Sequence, residues 1–188
     1  MAIDPDLCCM GTLQLICDTL RENPSFSIAH VAVHLDLKKV LAHSSIEEMY
    51  DFQDESGITP IMLAVKKQNI YNLRHLMCKK VNLGLIDIDQ NNVMHHAAFT
   101  SKEVIEVFGD QPDLLNKKNM LGFTPLHIAC NEDLPDCVQA FLCAGADLNI
   151  AGTMDDEVPL VTAVKSSSAK AVKEILQTYP KQLSLQAQ

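Results

Sequence analysis

The stretch Gly122-Phe123-Thr124-Pro125-Leu126-His127-Ile128-Ala129 decides how this chain folds. A threonine hydroxyl just before a helix can accept a hydrogen bond from an orphan backbone N–H, and a proline after it has the φ that a first helical residue needs. The segment 57–64 repeats the pattern as GITPIMLA, with Met62 in the histidine position. The chain therefore contains at least two copies of one helix start.

Three weaker copies extend this pattern into a period. The alanines that align all five copies are separated by 32, 33, 32 and 34 residues: Ala32, Ala64, Ala97, Ala129 and Ala163. A constant period of this length is typical of repeat proteins, in which neighbouring units stack on one another. We expect an N-terminal amphipathic helix within residues 1–22 and about five repeats within 23–188, anchored near 27–32, 59–64, 92–97, 124–129 and 158–163.

The pattern T-P-L-H-x-A is the signature of the ankyrin repeat, and the chain resembles that family. The resemblance implies an all-α fold: an ankyrin-repeat solenoid of helix-turn-helix units with β-turn fingers. In such repeats the histidine ties the turn to the start of the helix. The residues that we assign to the structural repeat motif are Thr59, Pro60, His95, Thr124, Pro125, Leu126, His127 and Pro159.

The turn before the first, inner helix of each repeat is here called a finger. Gly57 and Gly122 tolerate the positive φ of such a turn, and a side-chain acceptor three residues earlier can brace the bend. Solenoid geometry predicts that fingers and inner helices form a concave surface for a partner. The candidate partner-binding residues are Asp54, Asp87, Asn91, Asn119, Phe123 and Asp155, with Met120 and Met154 as exposed neighbours.

Apolar residues at helical spacing precede the first repeat. They recur three or four positions apart, as on one face of a helix, and predict a helix that docks on the first repeat. These residues are Leu7, Met10, Leu13, Ile16, Cys17 and Leu20.

The composition excludes several classes of function. Fifteen Lys and Arg residues stand against 24 Asp and Glu residues, for a formal charge of −9, and there is no Trp. Duplex binding depends on clustered cations and single-strand binding on aromatic stacking, so we expect no nucleic-acid partner. The apolar stretches are shorter than the roughly 20 residues that span a bilayer, which predicts no transmembrane segment.

Seven cysteines without paired spacing indicate a reducing, cytoplasmic compartment.

Two groups of residues raise the question of a metal or redox site. His30 and His34 are four residues apart, as in zinc-binding helices, but His30 lies in the register of the ankyrin histidine. Cys130, Cys137 and Cys143 have spacings of seven and six residues, which do not match C-x-x-C. Packed free thiols are the better interpretation. We expect no metal site and no cofactor.

Residues 13–37 (LQLICDTLRENPSFSIAHVAVHLDL) and 115–130 carry a narrower resemblance, to the ankyrin region of the group VI calcium-independent phospholipases A2. It covers roughly residues 12–165. This resemblance implies a protein-interaction and oligomerisation region. The parent enzyme would hydrolyse the sn-2 acyl ester of glycerophospholipids with a Ser/Asp dyad in a C-terminal patatin-like domain. The seven glycines lie too far apart for its G-x-G-x-x-G or G-x-S-x-G motif. We therefore expect no catalytic residue here and a chain truncated at both ends.

The partner expected from this resemblance is a protein, either another copy of the chain or the full-length enzyme. Contact with a membrane surface would come only through the parent protein. The alternative is a stand-alone ankyrin adaptor or inhibitor that binds a protein partner. A third interpretation is a short form that docks onto the full-length enzyme and inhibits it. The phospholipase-like interpretation and the stand-alone adaptor differ in whether a hydrolase domain is encoded downstream.

Overall fold

The computed structural model describes residues 10–109, 111–152 and 156–186, with the backbone alone for 179–186. Within these ranges every regular element is a helix, which confirms the all-α prediction. A 3-10 helix, Ser44–Met49, lies between α3 and α4. The α-helices are α1 (Met10–Glu22), α2 (Ile28–His34), α3 (Lys38–Leu41), α4 (Pro60–Lys66), α5 (Ile70–Met77), α6 (Val93–Ala97), α7 (Lys102–Phe108), α8 (Pro112–Leu115), α9 (Pro125–Asn131), α10 (Pro135–Cys143), α11 (Pro159–Lys165) and α12 (Ala169–Gln186).

The chain divides into two compact units, Met1–Asp87 and Ile88–Gln188. In the first unit, α2 packs against α3 and α4, and α4 packs against α5. In the second unit, the pair α9 and α10 packs against α6 and α7 and also against α11 and α12. Side chains such as Leu41 and Leu73 in the first core, and Leu126 and Phe141 in the second, are fully buried at these contacts.

Capping side chains fix where the inner helices begin. Thr59 and Thr124 each accept a hydrogen bond from the backbone N–H three residues on, at 3.4 and 3.5 Å, and each is followed by proline. The weaker copy at 92–97 begins with Asn92. Its Oδ1 accepts hydrogen bonds from the backbone N–H groups two and three residues on, at 2.9 and 3.1 Å. Val158 starts α11 with no side-chain cap. Before α6, asparagine therefore caps the helix in place of threonine, whereas the valine before α11 cannot cap it.

The bend of each finger requires a backbone with positive φ. Gly57 and Gly122 supply it without strain, both at φ 78°. Gln90 and Asp156 occupy the equivalent positions before α6 and α11, at φ 61° and 52°. A side chain in this left-handed region costs about 1 kcal/mol or more. The degenerate fingers are therefore more strained than those that keep the glycine.

Three histidines, His30, His95 and His127, connect the inner helices to the fingers. In each of them Nδ1 accepts a hydrogen bond from the N–H of the N-cap residue, at 3.1–3.2 Å, which leaves the ring proton on Nε2. The Nε2–H group then donates to a backbone carbonyl of the following finger at 2.9–3.0 Å. The pairs are His30 with Ile58, His95 with Phe123, and His127 with Glu157.

The N-terminal helix contacts α2, but only part of its predicted apolar face is buried. Leu7 lies outside the described residues, and Met10, Leu13 and Cys17 are exposed. The side chains of α1 that are buried are Ile16 and Thr19, in its second half. The hydroxyl of Thr19 donates to the Leu15 carbonyl at 2.8 Å, which allows a polar residue to be buried there. The prediction that the whole apolar stripe packs on the first repeat is therefore wrong for Met10, Leu13 and Cys17.

We expect opposite effects on stability from exchanging Thr and Val at two equivalent helix starts. The variant Thr124→Val removes a capping acceptor and should lower the free energy of unfolding by about 1 kcal/mol, up to ~2. Val158 has nearly the same backbone angles as Thr124, so Val158→Thr should add a cap and raise stability by roughly 0.5–1 kcal/mol. Urea unfolding followed by circular dichroism measures both. A destabilised Val158→Thr variant would contradict the capping account.

The buried histidines predict a loss of stability on mild acidification. Burial, with a smaller contribution from Lys118, lowers the pKa of His127 to about 4, and burial also lowers the pKa of His30. Between the ordinary histidine pKa of 6.5 and about 4, the unfolded chain binds more protons than the folded one. Stability is therefore full above pH 6.5 and decreases as the pH falls from there towards 4.

Thermal unfolding between pH 7 and 5 tests this dependence. The variant His127→Gln should be less stable at pH 7 and should show a shallower decrease across that range. The exposed histidine His43, changed to Gln, serves as the control and should leave the slope closer to that of the parent chain. If stability decreased equally with pH in the parent chain and in His127→Gln, the pH dependence would not come from His127.

Candidate interaction surface

The residues considered for a zinc site serve other contacts. His30 is bonded on both ring nitrogens, as described above. The ring of His34 meets the ring of Phe26 edge-on, with centroids 5.9 Å apart. In the part of the chain that the structure describes, no group of three or more His, Cys, Asp or Glu residues is placed to hold a metal ion.

The three cysteines considered as a cluster differ in their surroundings. Cys130 and Cys137 are buried, and burial raises the pKa of their thiols to about 12 and about 11. The Cys137 Sγ lies 3.5 Å from the Thr100 carbonyl oxygen. Thiols that stay protonated are poor nucleophiles and poor metal ligands. Cys143 is exposed at the last position of α10, so the prediction of three packed thiols is wrong for this residue.

Several of the candidate partner-binding residues use side-chain oxygens to stabilise the fingers. Oδ1 of Asp54 accepts hydrogen bonds from the N–H groups two and four residues on, both at 2.9 Å. Oδ1 of Asn119 does the same at 3.1 and 3.0 Å. Asp87 is only 8% exposed. Asp155 lies outside the described residues. A partner would therefore meet other side chains of the fingers.

A cavity of about 370 Å³ opens in the second unit, between residues 89–91, the finger 119–123 and the ends of α6 and α9. The backbone N–H of Met120 donates to the Asp89 carbonyl at 2.9 Å, and Nδ2 of Asn119 donates to Oδ1 of Asn91 at 2.8 Å. These bonds hold the two segments side by side. We call this surface the groove; the lining residues on which its chemistry depends are Asp89, Phe99, Met120, Leu121, Asn131 and Glu132.

Large apolar side chains surround the groove and are open to solvent. Phe99 is 57% exposed, Met120 58% and Leu121 55%. The predicted exposure of Met120 is confirmed, whereas Met154 lies outside the described residues. The buried Ile128 also lines the cavity, and the half-buried Phe123 stacks on the His127 ring with centroids 5.7 Å apart. The volume is at the lower end of the roughly 300–1,000 Å³ range of ligand sites, so the groove suits one or two side chains of a partner.

The structure brings only part of the predicted set to this surface. Asn91, Asn119 and Phe123 line the groove, while Asp54 and Asp87 do not. The sequence reasoning missed Phe99 and Glu132, which lie at the C-terminal ends of inner helices, beyond the T-P-L-H motif. One signal was available: the position two residues after the aligning alanine holds His34, Lys66, Asn131 and Lys165 in the other copies but phenylalanine at 99.

Comparison with known proteins identifies the repeat type. Residues 121–153, which include the end of the finger beside the groove and all of α9 and α10, match the family model of the ankyrin repeat. The chain is similar to an ankyrin repeat protein of Acanthamoeba polyphaga mimivirus, with 29% identity over 140 residues, 74% of this chain and 18% of the relative.

Two further relatives come from mammals. One is the nuclear factor NF-kappa-B p105 subunit of Rattus norvegicus, 25% identical over 159 residues, which are 79% of this chain and 16% of the relative. The other is the protein phosphatase 1 regulatory subunit 27 of Mus musculus, 28% identical over 87 residues, 46% of this chain and 56% of the relative. The chain thus spans less than a fifth of the length of the viral protein and of the p105 subunit.

The helical architecture and these matches agree with each other. None of the helices in the described ranges has the length and apolar composition needed to cross a bilayer. The repeated capped helix starts, the histidine bonds to the fingers and the match at 121–153 lead to one conclusion. The fold of this chain is an all-α solenoid of the ankyrin-repeat class.

Proposed function

We propose that this chain is a protein-interaction module and that it binds its partner through the groove. The proposal rests on the exposure of Phe99, Met120 and Leu121 around one cavity. Exposed clusters of large apolar side chains mark interaction sites, and buried apolar anchors supply much of the binding energy. Two of the relatives are named as subunits, one of NF-kappa-B and one of protein phosphatase 1, which supports a protein as the partner.

The hydrogen bonds of the fingers support the same proposal. Asn119 braces its own turn and binds Asn91, while Met120 is fixed through its backbone N–H. The Asn119 side chain and the Met120 N–H are therefore used internally, while the side chains of Met120 and Leu121 are more than half exposed. A surface that is already ordered loses little conformational entropy when it binds.

For the protein as a whole, we propose an interaction region of a calcium-independent phospholipase A2-like protein in the cytoplasm. The residue patterns at 13–37 and 115–130 support the phospholipase link, and the free thiols support a reducing compartment. A stand-alone ankyrin adaptor is equally consistent with the groove and with the relatives described above, none of which is named as a lipase.

The groove proposal is tested by crosslinking followed by affinity measurement. A photo-crosslinking amino acid at position 120 should capture a partner that the same amino acid at Leu176, an equally exposed apolar position, does not. With the purified partner, the double variant Met120→Ala/Leu121→Ala should raise Kd by about tenfold or more, as expected for anchor residues. Leu176→Ala is the matched control. An unchanged Kd for the double variant would rule out the groove.

The phospholipase proposal makes a separate prediction. The purified chain should release no sn-2 fatty acid from phosphatidylcholine in mixed micelles, because it holds no G-x-S-x-G motif. Transcripts that encode it should continue in frame into such a motif. Transcripts that all stop after Gln188 would favour the adaptor, and hydrolysis by the purified chain would contradict both interpretations.

A further inference from the structure

The groove combines its apolar side chains with negative charge. Glu132 and Asp89 are the acidic residues of the lining, which contains no lysine and no arginine. In the described residues no cationic side chain forms an ion pair with Glu132. Residues 88–188 carry seven lysines and no arginine against thirteen Asp and Glu residues. A cationic group of a partner is therefore favoured at this surface, both during approach and when bound.

The carboxylate of Glu132 is held in place on one side. Nδ2 of Asn131 donates to Oε1 of Glu132 at 3.0 Å, and Oδ1 of Asn131 accepts from the Ser166 hydroxyl at 2.6 Å. Glu132 is also the C-cap of α9, where unpaired helix carbonyls add negative potential. The second carboxylate oxygen, Oε2, makes none of these contacts and is available to a donor.

The neighbouring aromatic ring distinguishes between the two possible cations. Phe99 lines the same cavity and is more than half exposed. A guanidinium group is planar, stacks on aromatic rings and donates to carboxylates through two N–H groups, whereas an ammonium group is a compact, strongly hydrated point charge. The pairing of an exposed ring with an anchored carboxylate therefore favours arginine over lysine.

We propose that the groove binds a segment of a partner protein in which an arginine lies beside a large aliphatic residue. The arginine stacks on Phe99 and pairs with Glu132, and the aliphatic side chain packs against Met120 and Leu121. This inference rests on the proposed function, because it names the partner chemistry of the same groove.

Three labelled peptides test the inference with the full chain. Each has the sequence Ser-Leu-X-Leu-Ser with an N-terminal fluorescein, and X is arginine, citrulline or lysine. Citrulline keeps the shape of arginine but has no charge. Fluorescence anisotropy at physiological salt should show the arginine peptide binding about fivefold or more tightly than the citrulline peptide, as expected for a charge-assisted contact.

Variants of the chain assign the preference to particular residues. Glu132→Gln keeps the acceptor for Asn131 and should bring the ratio of arginine to citrulline affinity close to one. Glu106→Gln makes the same change of charge on an exposed residue of α7 outside the groove and should preserve the ratio. Phe99→Leu should reduce the preference for arginine over lysine, because the apolar contact remains and the aromatic ring does not.

The outcomes separate this inference from the proposed function. Equal affinities for the arginine and citrulline peptides, no binding by any peptide, or equal losses with Glu132→Gln and Glu106→Gln would each overturn the arginine inference. None of these results changes the test with the purified partner and the Met120→Ala/Leu121→Ala variant. That test alone decides whether the groove is the binding surface.

Discussion

A neutral imidazole that is hydrogen-bonded on both nitrogens is the interaction on which the finger geometry depends. In His30, His95 and His127 the ring accepts at Nδ1 from the start of its own helix and donates from Nε2 to the next finger. Each such ring fixes a helix start and a turn about thirty residues away with a single side chain. The arrangement needs the uncharged ring, and burial favours that state by lowering the pKa of His127 to about 4. At Met62 and Val161, in the same register, no such bond is possible.

The finger at 119–123 shows how this constraint leads to a binding surface. Three independent hydrogen-bonding interactions act on it: His95 binds the Phe123 carbonyl, Asn119 closes the turn from inside, and the Met120 N–H binds the Asp89 carbonyl. Buried polar groups must be paired, and these three interactions pair polar groups of the finger within the chain. At the tip of this finger, the side chains of Met120 and Leu121 are each more than half exposed. An ordered backbone therefore carries exposed apolar side chains in this finger.

The sequence predicts the helix starts well because the rules that govern them are local. Threonine before proline caps a helix whatever surrounds it, and even the degenerate copy keeps an asparagine that can cap. The binding residues are harder to predict because exposure is set by packing between repeats. Asp54 and Asn119 can be recognised as turn residues from their positions, but that role occupies the side-chain oxygens that a partner would need, and Asp87 is buried. Phe99 and Glu132 lie where the motif has ended, so only the comparison of equivalent positions points to Phe99, and nothing in the motif points to Glu132.

The position of the groove within the second unit follows from how the repeats cover one another. The pair α9 and α10 has helices packed on both of its faces, and Cys130 and Leu142 are fully or almost fully buried there. The residues 34 positions later, Val164 and Leu176, are each 61% exposed. In a stacked array the stability of a repeat comes largely from its contacts with neighbouring repeats. A repeat that is covered on both faces therefore opens less often than one that is covered on a single face. The finger 119–123 leads directly into α9. The surface proposed for binding is therefore built on a helix pair that has neighbouring helices on both faces, and a partner that binds there meets a site that is already formed.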